Sequence, residues 1–127
     1  MSSIKMARQK VDFETVQKIA LGLPGVEEST AYGSATFKAY GKLLACTPTH
    51  KSTEPDSLMV RIDFENRAEL MAAAPDVYYL TDHYVNYPSV LVRLSRIHPD
   101  ALRDLLGMAW RFVTMKGPGG KRTIRKR

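Results

Sequence analysis

Two short stretches of this chain alternate strictly in polarity, and they constrain what it can fold into more than anything else in the sequence. Leu58, Val60 and Ile62 alternate with Met59, Arg61 and Asp63, and Val90, Val92 and Leu94 alternate with Leu91, Arg93 and Ser95. A period of two sends each apolar set to one face of a strand, so both stretches predict a sheet with one face that must be covered. The cover is written elsewhere at helical spacing. Asp12 is placed to cap a helix that carries Phe13, Val16, Ala20 and Leu23, with Glu14 in its first turn and Leu23-Pro24-Gly25 as its stop. Asp63 caps a second helix from Phe64 to about Ala73, ended ahead of Pro75 because a residue before proline avoids the helical region. Pro99 opens a third, with Leu102, Leu105, Leu106, Ala109, Trp110 and Val113 as its buried stripe.

Between the first two helices the composition changes to short strands. Residues 27–30, 36–40 and 43–47 read as strands joined by turns at Tyr32-Gly33-Ser34 and Tyr40-Gly41-Lys42, the second pair as a hairpin. Residues 48–56 have loop composition, and strands at Val77 to Leu80 and Val90 to Leu94 flank a polar connection. Runs of strands with helices interspersed predict an α+β fold, a largely antiparallel sheet packed by helices on one face. The 127 residues are enough for a single core. The expected organisation is one domain over residues 12–115, between a flexible basic segment, 1–11, and a flexible basic tail, 116–127, that begins with Gly117-Pro-Gly-Gly.

No apolar run approaches the length of a membrane span, and the first residues lack the apolar core of a signal peptide. A lone cysteine, Cys46, excludes an intrachain disulfide and reads as a small core residue. Cytoplasmic residence without membrane contact is the expectation. The net charge of +6 invites a polyanion partner, but its placement matters more. Residues 1–10 carry +3 and residues 116–127 carry +6, whereas residues 11–115 hold ten Lys/Arg against thirteen Asp/Glu. The basic charge therefore belongs to the ends. Lys121, Arg122, Arg125, Lys126 and Arg127 form a candidate phosphate-binding arm, which would act through counterion release without reading sequence.

Four of the six tyrosines, Tyr78, Tyr79, Tyr84 and Tyr87, fall within ten residues around the polar centre Thr81, Asp82, His83 and Asn86. A tyrosine joins a large apolar ring to a hydroxyl that needs a partner when buried. Tyr78, Tyr84 and Tyr87 with Arg93 and Arg96 suit an aromatic and cationic surface for bases and phosphates. The competing and favoured expectation sends these rings to the core, leaving Arg93 as the residue that faces a partner. His83, Tyr84, Asn86 and Tyr87 are the candidates for ligand or partner contact. His83 beside Asp82 has the makings of a base with an orienting carboxylate, but no nucleophile completes it, and the structural reading has His83 bonding backbone to fix the turn. His50, His83 and His98 lack metal-ligand spacing, Glu27 and Glu28 read as solvated, and no phosphate loop is present, so neither a metal nor a cofactor is expected.

Leu23-Pro-Gly-Val-Glu-Glu-Ser-Thr30, Phe37-Lys38, Gly41-Lys-Leu-Leu-Ala45 and above all Asp76-Val-Tyr-Tyr-Leu-Thr-Asp-His-Tyr-Val-Asn-Tyr-Pro-Ser-Val-Leu-Val-Arg-Leu94 resemble the MmcQ/YjbR family over roughly residues 12–115. The resemblance implies a compact α+β fold similar to the frataxin-like arrangement, and the family's "DNA-binding" label. It brings no catalytic residues. Asp82 stands where relatives often have proline and Ser89 where they often have tryptophan, so aromatic stacking at residue 89 is lost. Together with the charge of the ends, the likeness predicts a small non-enzymatic protein that binds DNA non-specifically through its basic tails and a strand or turn edge. The alternative is a ligand- or protein-interaction domain with a tyrosine-lined patch.

Overall fold

Asp12 opens the first helix as its sequence requires: its carboxylate accepts the Thr15 backbone N–H at 3.0 Å and the chain turns into α1, Phe13–Leu21. The structure, a computed structural model, describes residues 11–31 and 33–115. Gly22 closes α1, two residues before Pro24. Three antiparallel strands follow: β1, Val26–Ala31; β2, Ser34–Ala39; and β3, Lys42–Cys46. Tyr40 and Gly41 both take positive φ in the β2–β3 turn, which fixes this hairpin. Strand β4, Ser57–Arg61, runs into Asp63, whose carboxylate accepts from Asn66 N and starts α2, Phe64–Ala73. The two-residue β5, Tyr78–Tyr79, then β6, Ser89–Arg93, and the long α3, Pro99–Thr114, complete the described residues.

The six strands form one sheet in the order β1-β2-β3-β4-β6-β5, antiparallel at every pairing. The two alternating stretches are neighbours in its centre: Leu58 pairs with Val92 and Val60 with Val90. The expected α+β architecture is present. Helix α3 lies across β2, β3 and β4 beside α1, and α2 packs against β5 and β6. Between helices and sheet sits the main core, where Phe37, Leu44, Leu58, Val60, Val90, Val92, Leu102, Leu105 and Leu106 are fully buried. Helix α2 buries no residue completely and joins through Leu70 and Met71.

Two expectations need correction. The strand expected over Val77 to Leu80 shrinks to Tyr78–Tyr79, because Val77 N bonds back to Ala74 O in a turn and the chain leaves the sheet at Leu80. The face of β4 and β6 turned from the helices is not simply polar. Leu91 is fully buried there, with Met59 and Tyr79, and with Leu43, Cys46 and Tyr84 packed around them. Tyr84 of the 80–88 loop closes this second cluster, and the 47–56 loop is tied to it where Glu54 N donates to the Tyr79 hydroxyl.

Candidate functional site

The tyrosine segment divides its rings between both sides of the sheet. Tyr78 enters the main core and Tyr79 the second cluster, as the packing expectation had it, while Tyr84 is half-buried over Leu91. Burial pushes the hydroxyls of Tyr78 and Tyr84 above their usual range. The Tyr79 hydroxyl is held by Glu54 N at 2.8 Å and by Ser57 Oγ. Tyr87 departs from the packing expectation, for it is 58% exposed.

Above Tyr84 the two loops meet through histidines. The rings of His50 and His83 stack with centroids 3.9 Å apart and planes 16° from parallel. The Tyr84 ring meets His83 edge-on at 4.7 Å, and Tyr87 lies 6.4 Å from His83. Ser52 N donates to His50 Nδ1 at 3.1 Å, so Nδ1 is unprotonated and the Ser52 hydroxyl also donates to it, at 2.7 Å. Ser52 Oγ reaches Thr81 Oγ1 at 2.9 Å, a second tie between the loops. His83 thus holds its turn by stacking on His50 rather than through the backbone bond expected of it. Asp82 and Asn86 are exposed on the same turn.

Arginines 61, 67 and 93 of the body are engaged with their own chain. Arg93 grips Glu54 through Nε and Nη2, both at 2.8 Å, and gives Nη1 to the carbonyls of Pro75 and Asp76. Its guanidinium also lies 4.4 Å from the centre of the Tyr79 ring. The bidentate pair lowers the Glu54 carboxyl and raises Arg93. Expected to face a partner, Arg93 instead clamps the 47–56 loop to the sheet. Arg96 is exposed just beyond β6. Lys121, Arg122, Arg125, Lys126 and Arg127 lie outside the described residues, as do residues 1–10 and Tyr32.

Two arginines that the sequence pattern leaves unmarked hold the other end of the segment. Arg67 Nη1 donates to Tyr87 O at 2.9 Å and Ser89 O at 3.1 Å, and Nη2 to Val85 O at 3.0 Å. Arg61 Nε donates to Pro88 O at 3.1 Å, and its guanidinium approaches the Phe112 ring at 5.6 Å. Burial pulls both guanidinium groups below their ordinary value. No local spacing announces these partners, because each lies about twenty residues or more from the carbonyl it binds.

A cleft of about 780 Å³ opens between the start of α1, the 47–57 loop and the end of β6. Its described walls include Asp12, Glu54, Asp56 and His50 and no lysine or arginine, which suits it poorly to a polyanion. Among the described residues no group of three or more His, Cys, Asp or Glu is arranged to hold a metal, and no helix is long and apolar enough to cross a membrane. Cys46 is partly buried, and burial raises its thiol above the usual range.

An antiparallel six-stranded sheet backed by three helices, with a tyrosine-rich segment folded over its outer face, defines a small α+β domain built around that segment. The chain belongs to the YjbR family, whose model matches residues 21–112. It is 34% identical over 112 aligned residues to an uncharacterized protein of Mycobacterium tuberculosis and, equally, to one of Mycobacterium bovis, covering 77% of this chain and 84% of each relative. A solved Deinococcus radiodurans protein with a DUF419 domain superposes with a TM-score of 0.68 at 23% identity, over 87% of this chain and 83% of that one, a likeness of fold.

Proposed function

We propose that the protein is a non-enzymatic binding protein that holds DNA non-specifically, through charge at its ends and the turn edge over residues 85–89. The observation that carries this reading is the partition of charge. Residues 11–115 hold more acids than bases and their arginines 61, 67 and 93 are tied to internal acceptors, while residues 116–127 carry six cations and no acid. Helix α3 ends at Thr114, and its last turns carry Arg111 and Phe112, which line a shallow pocket with Asp63 and Asn66 at the start of α2.

The test is binding of a 20-base-pair duplex across a salt series, by the full chain and by a full-length variant with the six Lys/Arg of residues 116–127 changed to glutamine. The log–log salt slope should fall by about 0.9 for each phosphate that the variant no longer neutralises. No binding by the unmodified chain at low salt refutes the reading, and an unchanged slope in the variant removes the arm from it.

The His50–His83 stack favours a second reading, an interaction patch on the loop-covered face made by His50, His83, Tyr84 and Tyr87. A part-exposed cluster of rings, two stacked and two set at angles to them, suits a ligand or a protein contact. Its test is a binding screen with His83→Ala; capture of the same ligands at unchanged affinity would refute it.

A further inference from the structure

Between α2, β5 and α3 lies a groove of about 580 Å³, with Leu70, Tyr78 and Met108 among its walls. The Tyr78 ring is anchored in the main core and only 5% exposed. Among the described residues its hydroxyl has no hydrogen-bond partner. The one such atom that is also sealed from solvent is Ser89 Oγ, so the Tyr78 hydroxyl keeps an opening, and the groove is the space beside it. Burial, and after it the nearby Asp104 carboxylate, push this hydroxyl above its usual range, so it remains a donor at neutral pH. Helix α3 brings the charge. Asp104, Gly107, Met108 and Arg111 fall at i, i+3, i+4 and i+7 and share one face. Gly107 leaves that face open: a Cβ there would meet only Arg111 Nη1, at 3.8 Å, which places the guanidinium over Gly107. Neither the Arg111 nor the Asp104 side chain has a hydrogen bond or ion pair among the described residues, whereas Arg103, also on the groove, is held by Asp100 at 3.0 Å.

We propose that this groove binds a small zwitterion, an α-amino acid with an apolar side chain. Its carboxylate goes to the Arg111 guanidinium and the Tyr78 hydroxyl, its ammonium to Asp104, and its side chain lies against Leu70 and Met108. A guanidinium and a phenol hydroxyl both donate and suit a carboxylate, while an ammonium has only donors, which the Asp104 carboxylate accepts. A simple anion at the hydroxyl would meet the Asp104 charge unrelieved. A simple cation at Asp104 would leave Arg111 and the hydroxyl unmatched. A ligand with both charges satisfies all three groups and adds no net charge, and the groove is within the usual size range of small-molecule pockets. Asp104 and Arg111 are exposed, so water competes for both and the affinity is modest. The inference is independent of the nucleic-acid reading, whose surfaces are the chain ends and residues 85–89.

The experiment titrates leucine, isocaproate and isoamylamine into the isotope-labelled full chain and follows the amide signals of Gly107 and Met108 by NMR. Leucine carries both charges, isocaproate lacks the ammonium and isoamylamine lacks the carboxylate. Leucine should saturate these signals with a dissociation constant of about 1 mM, and each half-analogue should bind about 10-fold more weakly. Tyr78→Phe, Asp104→Asn and Arg111→Gln should each weaken leucine binding by about 5-fold or more. Unchanged circular-dichroism melts are expected in all three, because the Tyr78 hydroxyl has no partner to lose and the other two side chains are exposed. Isocaproate binding as tightly as leucine, in the unmodified chain and in Asp104→Asn alike, reassigns the groove to anions and overturns the proposal. Isoamylamine binding as tightly as leucine reassigns it to cations and overturns it equally. Signals that stay still with leucine, methionine and phenylalanine up to about 20 mM, or leucine binding untouched by all three variants, also refute it.

Discussion

Replacing Leu91 by alanine measures whether the outer face of the sheet is a second core or an ordinary wet surface. Leu91 has no exposed area, and Met59 and Tyr79 beside it are 6% and 9% exposed. Deleting a fully buried leucine to alanine costs about 2.7–5.0 kcal/mol, the larger values where the cavity stays open. Here one wall is Tyr84, carried on a loop that can settle inward, so we expect a cost of about 3 kcal/mol. A leucine on a half-wet sheet face would lose only part of its transfer free energy, about 1 kcal/mol. Set against a typical total stability of about 5–15 kcal/mol, the difference is easily measured. Urea unfolding followed by the fluorescence of Trp110 and by circular dichroism gives it as a midpoint shift at constant slope. Tyr84→Ala closes the cycle: if its ring roofs Leu91, the double variant should depart from additivity by about 0.5 kcal/mol or more. A cost for Leu91→Ala below about 1 kcal/mol, or strict additivity with Tyr84→Ala, would show that the 80–88 loop does not cover the sheet.

Three further outcomes test other parts of the structure. Gly25 has φ +72°, and a Cβ there would stand 2.4 Å from two ring carbons of Tyr40; Gly25→Ala should cost about 2 kcal/mol or more, falling to the left-handed backbone cost of about 1 kcal/mol when Tyr40→Ala is added. No such recovery in urea melts would refute the clash. Ser89 Oγ is buried without a hydrogen-bond partner, so Ser89→Ala should leave stability unchanged or raise it by up to about 1 kcal/mol, and a loss of that size would mean the hydroxyl has a partner. The Asp12 carboxyl is lowered by the Thr15 backbone N–H and the Glu54 carboxyl by Arg93. Their stabilisation is therefore present above the unfolded values near pH 4 and lost as pH falls through the folded ones. Glu54→Gln should lower stability above about pH 5, flatten the acid limb and converge with the unmodified chain at low pH; an unchanged acid limb would discount the Arg93 pair.

The parts of the fold that the sequence exposes are those decided within a few residues. Asp12 and Asp63 cap helices because a carboxylate three residues ahead of a free backbone N–H needs no tertiary help. The stripe from Leu102 to Val113 and the alternation in β4 and β6 are one-dimensional records of a buried face, and all three lie in the main core. The polar loops do not announce that they fold back over a sheet. Residues 47–56 contain little that is apolar, and they are held by side-chain bonds to distant positions, such as Glu54 to Arg93 and Ser52 to Thr81. That is why the Leu91 face reads as half-exposed from spacing and proves to be closed.

The same limit governs the site. Arginine in a strand beside tyrosines is an ambiguous signal, because one guanidinium serves a ligand phosphate or a neighbouring carboxylate with the same geometry. What separates the two is an acceptor remote in sequence. Arg93 finds Glu54, 39 residues away, and two backbone carbonyls, so its charge is matched within the fold. Arg67 finds only carbonyls, which accept hydrogen bonds without cancelling charge. A cation held by neutral acceptors beside the Phe64 ring remains a positive centre in a body with more acids than bases. On that physical ground the candidate contact surface moves from Arg93 to Arg67, and from the middle of the tyrosine segment to its Tyr87 end.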